Sequence, residues 1–189
     1  DSVVRLLQTA KFDVSISSSP ETIQNHKTNL ILPGVGRWDY GIKNLETSDL
    51  FKYIQDGNWK KILGICLGFQ ILGKCSEEGD SKGLEILDFE CRSLANQLPN
   101  RKAINSGWKE ISESGGKVLT KSGFYFTHSF GYIVNPNSEN RDGAHYSHIK
   151  DTSILAGYES ENVLGLQFHP EKSHSRGFQL LERIRDEWI

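Results

Sequence analysis

The stretch Lys61-Ile62-Leu63-Gly64-Ile65-Cys66-Leu67-Gly68-Phe69-Gln70-Ile71-Leu72 decides how the chain folds. Its first half, up to Ile65, is a short apolar run of the kind found in a sheet strand buried on both faces. Its second half sets Phe69, Ile71 and Leu72 at helical spacing, so strand passes into helix at Cys66. Gly64 and Gly68 flank that point, and small flanks permit the tight turn of a nucleophile elbow, which holds a reactive side chain out of the sheet. Here the side chain is a thiol. At a helix start the unpaired N–H groups and the dipole favour a thiolate, the attacking form. The plain alternative for a single cysteine in an apolar run is an inert core thiol.

Outward from the elbow, Leu30-Ile31-Leu32 closed by Pro33-Gly34 predicts a strand, Ser18 to Glu21 a helix start, and Val14 with Ile16 a strand. Val3, Val4, Leu6, Leu7 and Ala10 fall at helical spacing behind Asp1-Ser2, and Leu45, Leu50, Phe51 and Ile54 suggest two short helices before the elbow strand. Beyond Gly83 come short strand-like runs at Glu85 to Cys91, Phe124 to Thr127, Tyr132 to Val134, Ile154 to Tyr158 and Val163 to Phe168, which suit antiparallel pairing. A helix from Ser175 to Trp188, with Phe178, Leu180, Leu181 and Ile184 on its core face, closes the chain. Early βα alternation followed by strands predicts one α/β domain over residues 1–189, with a mixed central sheet flanked by helices.

Composition narrows the function. The 189 residues carry 22 Lys and Arg against 24 Asp and Glu, net charge -2, with no basic block. A sequence-independent grip on nucleic acid needs the opposite balance. The longest apolar run, Ile62 to Leu72, falls well short of the ~20 residues that span a bilayer, so no membrane span is expected. Cys66, Cys75 and Cys91 form no C-x-x-C pair, and an odd count suits a reducing compartment, which predicts a cytoplasmic protein.

His169-Pro170-Glu171 follows the last apolar run. Side chains alternate along extended backbone, so His169 and Glu171 project the same way, and Pro170 keeps the stretch out of a helix. A catalytic base needs an acceptor to fix its tautomer, so Cys66, His169 and Glu171 suit nucleophile, base and orienter. A solvated strand end with two polar residues is the bland reading. Two other motifs fail. Gly68 to Cys75 has P-loop spacing, but Cys75 stands where a magnesium-binding hydroxyl belongs. Pro33-Gly34-Val35-Gly36 begins like a dinucleotide fingerprint, yet Asp39 takes the third glycine position. That turn can still aim N–H groups at a developing anion. His145 and His148 have no carboxylate or cysteine at ligand spacing, so no metal and no cofactor are expected. His26 and His174 read as surface residues, Cys75 and Cys91 as core.

Taken in order, Leu32-Pro33-Gly34-Val35-Gly36, Gly64 to Gln70, Ser76-Glu77-Glu78, Gly107-Trp108, Tyr125-Phe126-Thr127-His128-Ser129 and Gly165 to Ser173 resemble the class I glutamine amidotransferases. Within that family they are most similar to glutaminase subunits that serve a synthase, as in the imidazole glycerol phosphate synthases. The resemblance covers nearly the whole chain and implies a flavodoxin-like α/β fold with its elbow at Cys66. It implies Cys66 as nucleophile toward the side-chain amide of L-glutamine, His169 as base and then acid, and Glu171 as orienter. It implies an oxyanion hole from Leu67 and the Val35-Gly36 turn, and Gly34, Gly36, Gln70, Ser129 and Phe130 around the substrate. Released ammonia must reach a second active site, so a (β/α)8 barrel synthase/cyclase partner is implied, forming a heterodimer through Lys172, Trp108, Asn105 and Tyr125.

Departures from the family pattern set further expectations. The family opens on a strand and a Gly-rich turn, and this sequence is expected to start at the following helix, lacking about ten residues. Asn105 stands for a usual His, and Phe130-Gly131 for an aromatic pair. Ser173-His174-Ser175-Arg176-Gly177 and Asp39-Tyr40-Gly41 are more similar to paralogues that supply ammonia for amidating sugars in surface-polysaccharide or flagellar glycans. Two readings outside this class are a non-catalytic subunit on the same scaffold and a cysteine peptidase of related architecture.

Overall fold

The computed structural model describes residues 2–24, 28–97, 104–112, 116–134, 142–149 and 152–189. The chain runs through α1 (Ser2–Thr9), α2 (Pro20–Gln24), β1 (Asn29–Gly34), α3 (Trp38–Thr47), α4 (Leu50–Gln55), β2 (Lys61–Cys66) and α5 (Leu67–Ile71). There follow β3 (Cys75–Ser76), β4 (Glu90–Ser93), α6 (Leu94–Gln97), β5 (Asn105–Ile111), β6 (Ser122–His128), β7 (Phe130–Gly131) and β8 (Ile133–Val134). The last part holds β9 (Ala144–Ile149), β10 (Thr152–Glu159), β11 (Val163–Leu166), a 3-10 turn at Pro170–Lys172, and α7 (His174–Arg183), which widens into a π turn at Ile184–Trp188.

The main sheet has the order β1-β2-β11-β10-β8, with β9 also on β10. β1, β2 and β11 are parallel, whereas β8 and β9 both pair antiparallel with β10, as β10 does with β11. The sheet is therefore mixed, and the expected run of antiparallel late strands has two exceptions, since β11 lies parallel to β2 and β4 lies parallel to β3. Period-two alternation divides the strand side chains between two cores. Leu63, Ile65, Leu164 and Leu166 face a layer containing Leu7 of α1, Leu180 and Leu181 of α7, and Phe124 and Phe126 of β6. Ile62, Leu155 and Val163 face the other layer, with Ile42, Ile54, Phe69 and Leu72 from α3 to α5. Coverage on both faces is why β2 is an unbroken apolar run.

Three expectations need correction. Val14 and Ile16 form no strand: Val14 packs on the first core while Ile16 is 78% exposed, and the segment pairs with none of the described strands. Alternation without a neighbour to take the N–H and C=O groups does not make a strand. Glu85 to Cys91 is a strand only from Glu90. Before that the N–H groups of Leu84 and Leu87 go to the carbonyls of Ile71 and Leu72, so the segment closes the end of α5 instead of joining a ladder. Cys75 is half-buried, not core. β5, which the sequence offered only as Gly107-Trp108, pairs antiparallel with the whole of β6. Among the described residues no helix is long and apolar enough to cross a membrane. His26 lies outside them.

Candidate active site

Cys66 ends β2 with φ 53 and ψ -109, a left-handed conformation in a non-glycine residue. Such strain persists only where the surroundings hold it. Here the start of α5 is pressed against β1 and β2. A Cβ on Gly68 would lie 1.9 Å from the carbonyl oxygen of Leu32, and one on Gly64 would lie 2.6 Å from the backbone of Phe69. Bare glycine at both points lets the helix sit close enough to force the elbow.

His169 follows β11, the strand beside β2, so parallel pairing brings base and nucleophile to one end of the sheet. The His169 N–H donates to the carbonyl of Tyr125, and the Ser173 hydroxyl donates to the carbonyl of His169 while accepting from the N–H of Tyr125. Ser173, fully buried, thus clamps the Pro170–Lys172 turn to β6. Extended backbone was expected here, but Pro170 opens a 3-10 turn, where its missing N–H needs no partner, and that turn sets Glu171 Oε1 2.7 Å from His169 Nδ1. Burial alone would lower the His169 pKa. Hydrogen bonds to Cys66 and Glu171, and their charges, outweigh it and raise the imidazole to about 9. Burial likewise pushes Glu171 up, but the hydrogen bond and charge of His169 hold its carboxyl below the usual range.

These groups open on a cleft of about 370 Å³ lined by Val35, Gly36, Cys66, Leu67, Gln70, Glu78, Thr127, His128, Ser129, Phe130, His169 and Lys172. A larger hollow of about 540 Å³ between α3, α4 and the turn at residues 81–85 has no cysteine or histidine in its lining. Volume therefore does not mark the reactive site. Of the residues expected around a substrate, Gly36, Gln70, Ser129 and Phe130 line the cleft, and Gly34 lies beneath it against the start of α5. Val35 and Gly36 are exposed on the rim, with Gly36 at φ +117. The N–H of Leu67 stands at the first position of α5, where helix geometry leaves it without an intrahelical partner.

Two polar groups prove less available than expected. The carbonyl of Phe130 already accepts from Gln70 Nε2 at 2.7 Å and from His128 Nδ1 at 2.8 Å. Gln70 spends its second amide hydrogen on Gln167 Oε1 at 3.0 Å, which leaves its Oε1 for a ligand. Burial lowers the His128 pKa to about 4, so the ring is neutral, its Nδ1–H donating to Phe130 and its Nε2 accepting from Asn105 at 2.9 Å. Asn105, expected among the partner contacts, is buried behind the cleft wall. The other expected contacts are placed differently. Lys172 is exposed at the rim, Tyr125 is half-buried, and Trp108 is 47% exposed and stacks on His174 at 5.7 Å.

The sequence reading missed Gln167, Ser173, His128 and Glu78 as site residues. Gln167 was legible: two residues before His169, it falls on the same side of extended backbone. Glu78 supplies the carboxylate among the described cleft-lining residues, and its Oε2 accepts from the N–H of Trp38. No group of three or more His, Cys, Asp or Glu among the described residues is arranged to hold a metal.

An elbow cysteine beside a histidine that is hydrogen-bonded to a carboxylate, on a mixed α/β sheet, is an arrangement suited to nucleophilic hydrolysis. The family model for glutamine amidotransferase class-I matches residues 1–184, and the chain belongs to that family, whose chemistry is hydrolysis of the glutamine amide. It is similar to the imidazole glycerol phosphate synthase subunit HisH 2 of Methanococcus maripaludis, 33% identical with 97% of this chain and 92% of that protein covered. The HisH 2 protein of Pseudomonas aeruginosa is 34% identical over the same shares, and the hisH protein of Cyanophora paradoxa is 36% identical over 89% and 80%. The fold is shared with a crystal structure of a glutamine amidotransferase, TM-score 0.64 at 16% identity, covering 95% of this chain and 92% of that one. It is also shared with a putative GMP synthase protein from Thermoplasma acidophilum, TM-score 0.62 at 20% identity, covering 98% and 89%.

Proposed function

We propose that this protein is a glutaminase subunit that hydrolyses L-glutamine through Cys66, His169 and Glu171 and passes the ammonia to a (β/α)8 synthase/cyclase partner, as in imidazole glycerol phosphate synthase. The observation that carries the reading is the meeting of Cys66, held at an elbow, with a histidine whose far nitrogen lies 2.7 Å from a buried carboxylate. The Cys66 thiolate attacks the side-chain amide carbon of glutamine. His169, protonated at neutral pH, gives its proton to the leaving nitrogen, ammonia departs, and a glutamyl thioester remains. His169 then takes a proton from water, which attacks the thioester and releases glutamate and the thiolate. The N–H of Leu67 and a peptide of the Val35-Gly36 turn face the oxyanion formed in each step, and one such donor is worth about 3 kcal/mol of transition-state stabilisation. Glu78 suits the α-ammonium of glutamine, and the free Oε1 of Gln70 accepts from a substrate N–H.

Ammonia in neutral water is mostly protonated and then no nucleophile, which is why a partner active site must receive it directly. Such a barrel would seat over Lys172 at the cleft rim and over the neighbouring surface of β5 and β6, where Trp108 and Tyr125 pack edge to face. A second reading passes the ammonia to a sugar-amidating synthase. It is favoured by the segment from Ser173 to Gly177, because His174 stacks on Trp108 and the Arg176 guanidinium lies 5.9 Å over the same ring, so the atypical residues shape that surface.

Glutamate release tests the proposal, measured for the protein alone and with the histidine-pathway barrel plus its nucleotide ligand, with Cys66→Ala as control. Stimulation that requires Cys66 supports the first reading. Weak Cys66-dependent turnover that the barrel does not raise supports the second, and no Cys66-dependent turnover in either condition removes both.

A further inference from the structure

The direction of the hydrogen bonds behind the cleft can be worked out from one group that has no choice. A backbone carbonyl only accepts, so the carbonyl of Phe130 requires Gln70 to turn its NH₂ group toward it. The same NH₂ group meets Gln167, which must therefore present Oε1 at 3.0 Å. Gln167 then has one orientation left: its own NH₂ faces the Cys66 sulfur, with Nε2 3.8 Å from Sγ. Both glutamines and His128 are buried, so water does not compete for these positions. His128 reinforces the polarity by donating to the same carbonyl. The chain of donors thus starts from a fixed acceptor and ends with an amide N–H on the reacting atom.

We infer that Gln167 is a catalytic residue, a fixed amide donor that stabilises negative charge on Cys66 Sγ before substrate arrives and again when the thioester is cleaved. A hydrogen bond to an anion is stronger than one to a neutral acceptor, so this donor favours the thiolate over the thiol. The role rests on the glutaminase reading for the reaction it serves, although the donor itself is tested without glutamine.

The experiment measures alkylation of Cys66 by iodoacetamide between pH 5 and 10 in the intact protein, site by site by peptide mass spectrometry, with Cys75 as an internal reference. Gln167→Glu keeps an oxygen toward Gln70 and sets a carboxylate oxygen against the sulfur. Gln167→Met keeps the size and removes the donor. Both are expected to slow Cys66 alkylation at pH 7 about tenfold and to move the half-maximal pH of the profile upward by about one unit, Glu more than Met. Cys75 should react as before. Gln167→Asn, with the same donor on a shorter stem, should recover part of the rate. A Gln167→Glu protein that is folded by circular dichroism, yet alkylates Cys66 with the wild-type pH profile, overturns the inference. If Gln167→Met fails to fold, Gln167→Glu decides, because it leaves the Gln70 donor satisfied. Shifted profiles with no glutamate release by the wild type under any partner condition would remove the glutaminase reading and leave the donor in place.

Discussion

The two walls of the cleft are built in opposite ways. On one side the elbow is pressed into the protein: Cys66 is 8% exposed, and the glycines around it are within touching distance of other backbone. Facing it, the turn at Val35-Gly36 stands in solvent, with Val35 77% exposed and nothing within 4 Å of where a Gly36 side chain would begin. The same residue type serves opposite ends: Gly68 is glycine because there is no room, Gly36 because its φ of +117 suits no L side chain. The nucleophile is thus positioned by packing, and the facing turn by its own backbone conformation.

Breaking the packed wall should have the larger consequences. Cys66→Ala is expected to reduce glutamate release at least about a thousandfold, measured with saturating glutamine, while leaving the urea midpoint near wild type. Gly68→Ala drives a methyl group into the carbonyl of Leu32 and should lower stability by about 3 kcal/mol in urea unfolding, with activity falling alongside. Gly36→Ala meets no atom and costs only the strained φ, about 1 to 2 kcal/mol, so a Gly36→Ala protein less stable than Gly68→Ala would reverse the comparison.

Titration sharpens the same contrast, because His128 and His169, whose shifts are the largest, both line the cleft. His128 is held at about 4, below its ordinary 6.5, so its contribution is full above pH 6.5 and is lost as pH falls toward 4, on the order of 3 kcal/mol. His169 is held at about 9, so its contribution is full below pH 6.5 and is lost as pH rises through 9. Urea midpoints at pH 4.5, 6.5 and 9.5 should therefore peak at the middle value. His128→Gln should flatten the acid limb alone. The smallest effect is expected on the surface of β5: Trp108→Ala should change stability by under about 1 kcal/mol and act only on glutamate release stimulated by the partner.

Much of this architecture was legible in the residues. The elbow was readable because its apolar run, its helical spacing and its flanking glycines are all local. His169 and Glu171 were readable as a pair from their closeness in sequence but not in their geometry, since a 3-10 turn and not extended backbone brings the carboxylate to the ring. Val14 and Ile16 misled because alternation reports a possible strand face and says nothing of a neighbouring strand to pair with. Residues 85–89 misled because the N–H groups of Glu85 and Leu87 go to the carbonyls of Gly73 and Leu72 after α5, a partner that pattern alone does not name. Asn105, named among the partner contacts, is buried with its amide on His128, a pairing between residues 23 positions apart that pattern does not show.

By itself, then, the sequence determined which chemical groups exist and which local turns present them: a thiol at a strand-to-helix bend, and an imidazole two residues from a carboxylate. Tertiary structure alone decided which way the polar groups point. The bonds from Gln70 to Phe130, from Gln70 to Gln167 and from Gln167 to Cys66 join residues 60, 97 and 101 positions apart. An amide can present either its oxygen or its nitrogen, and its orientation is fixed only when the fold sets it against a group that cannot reverse.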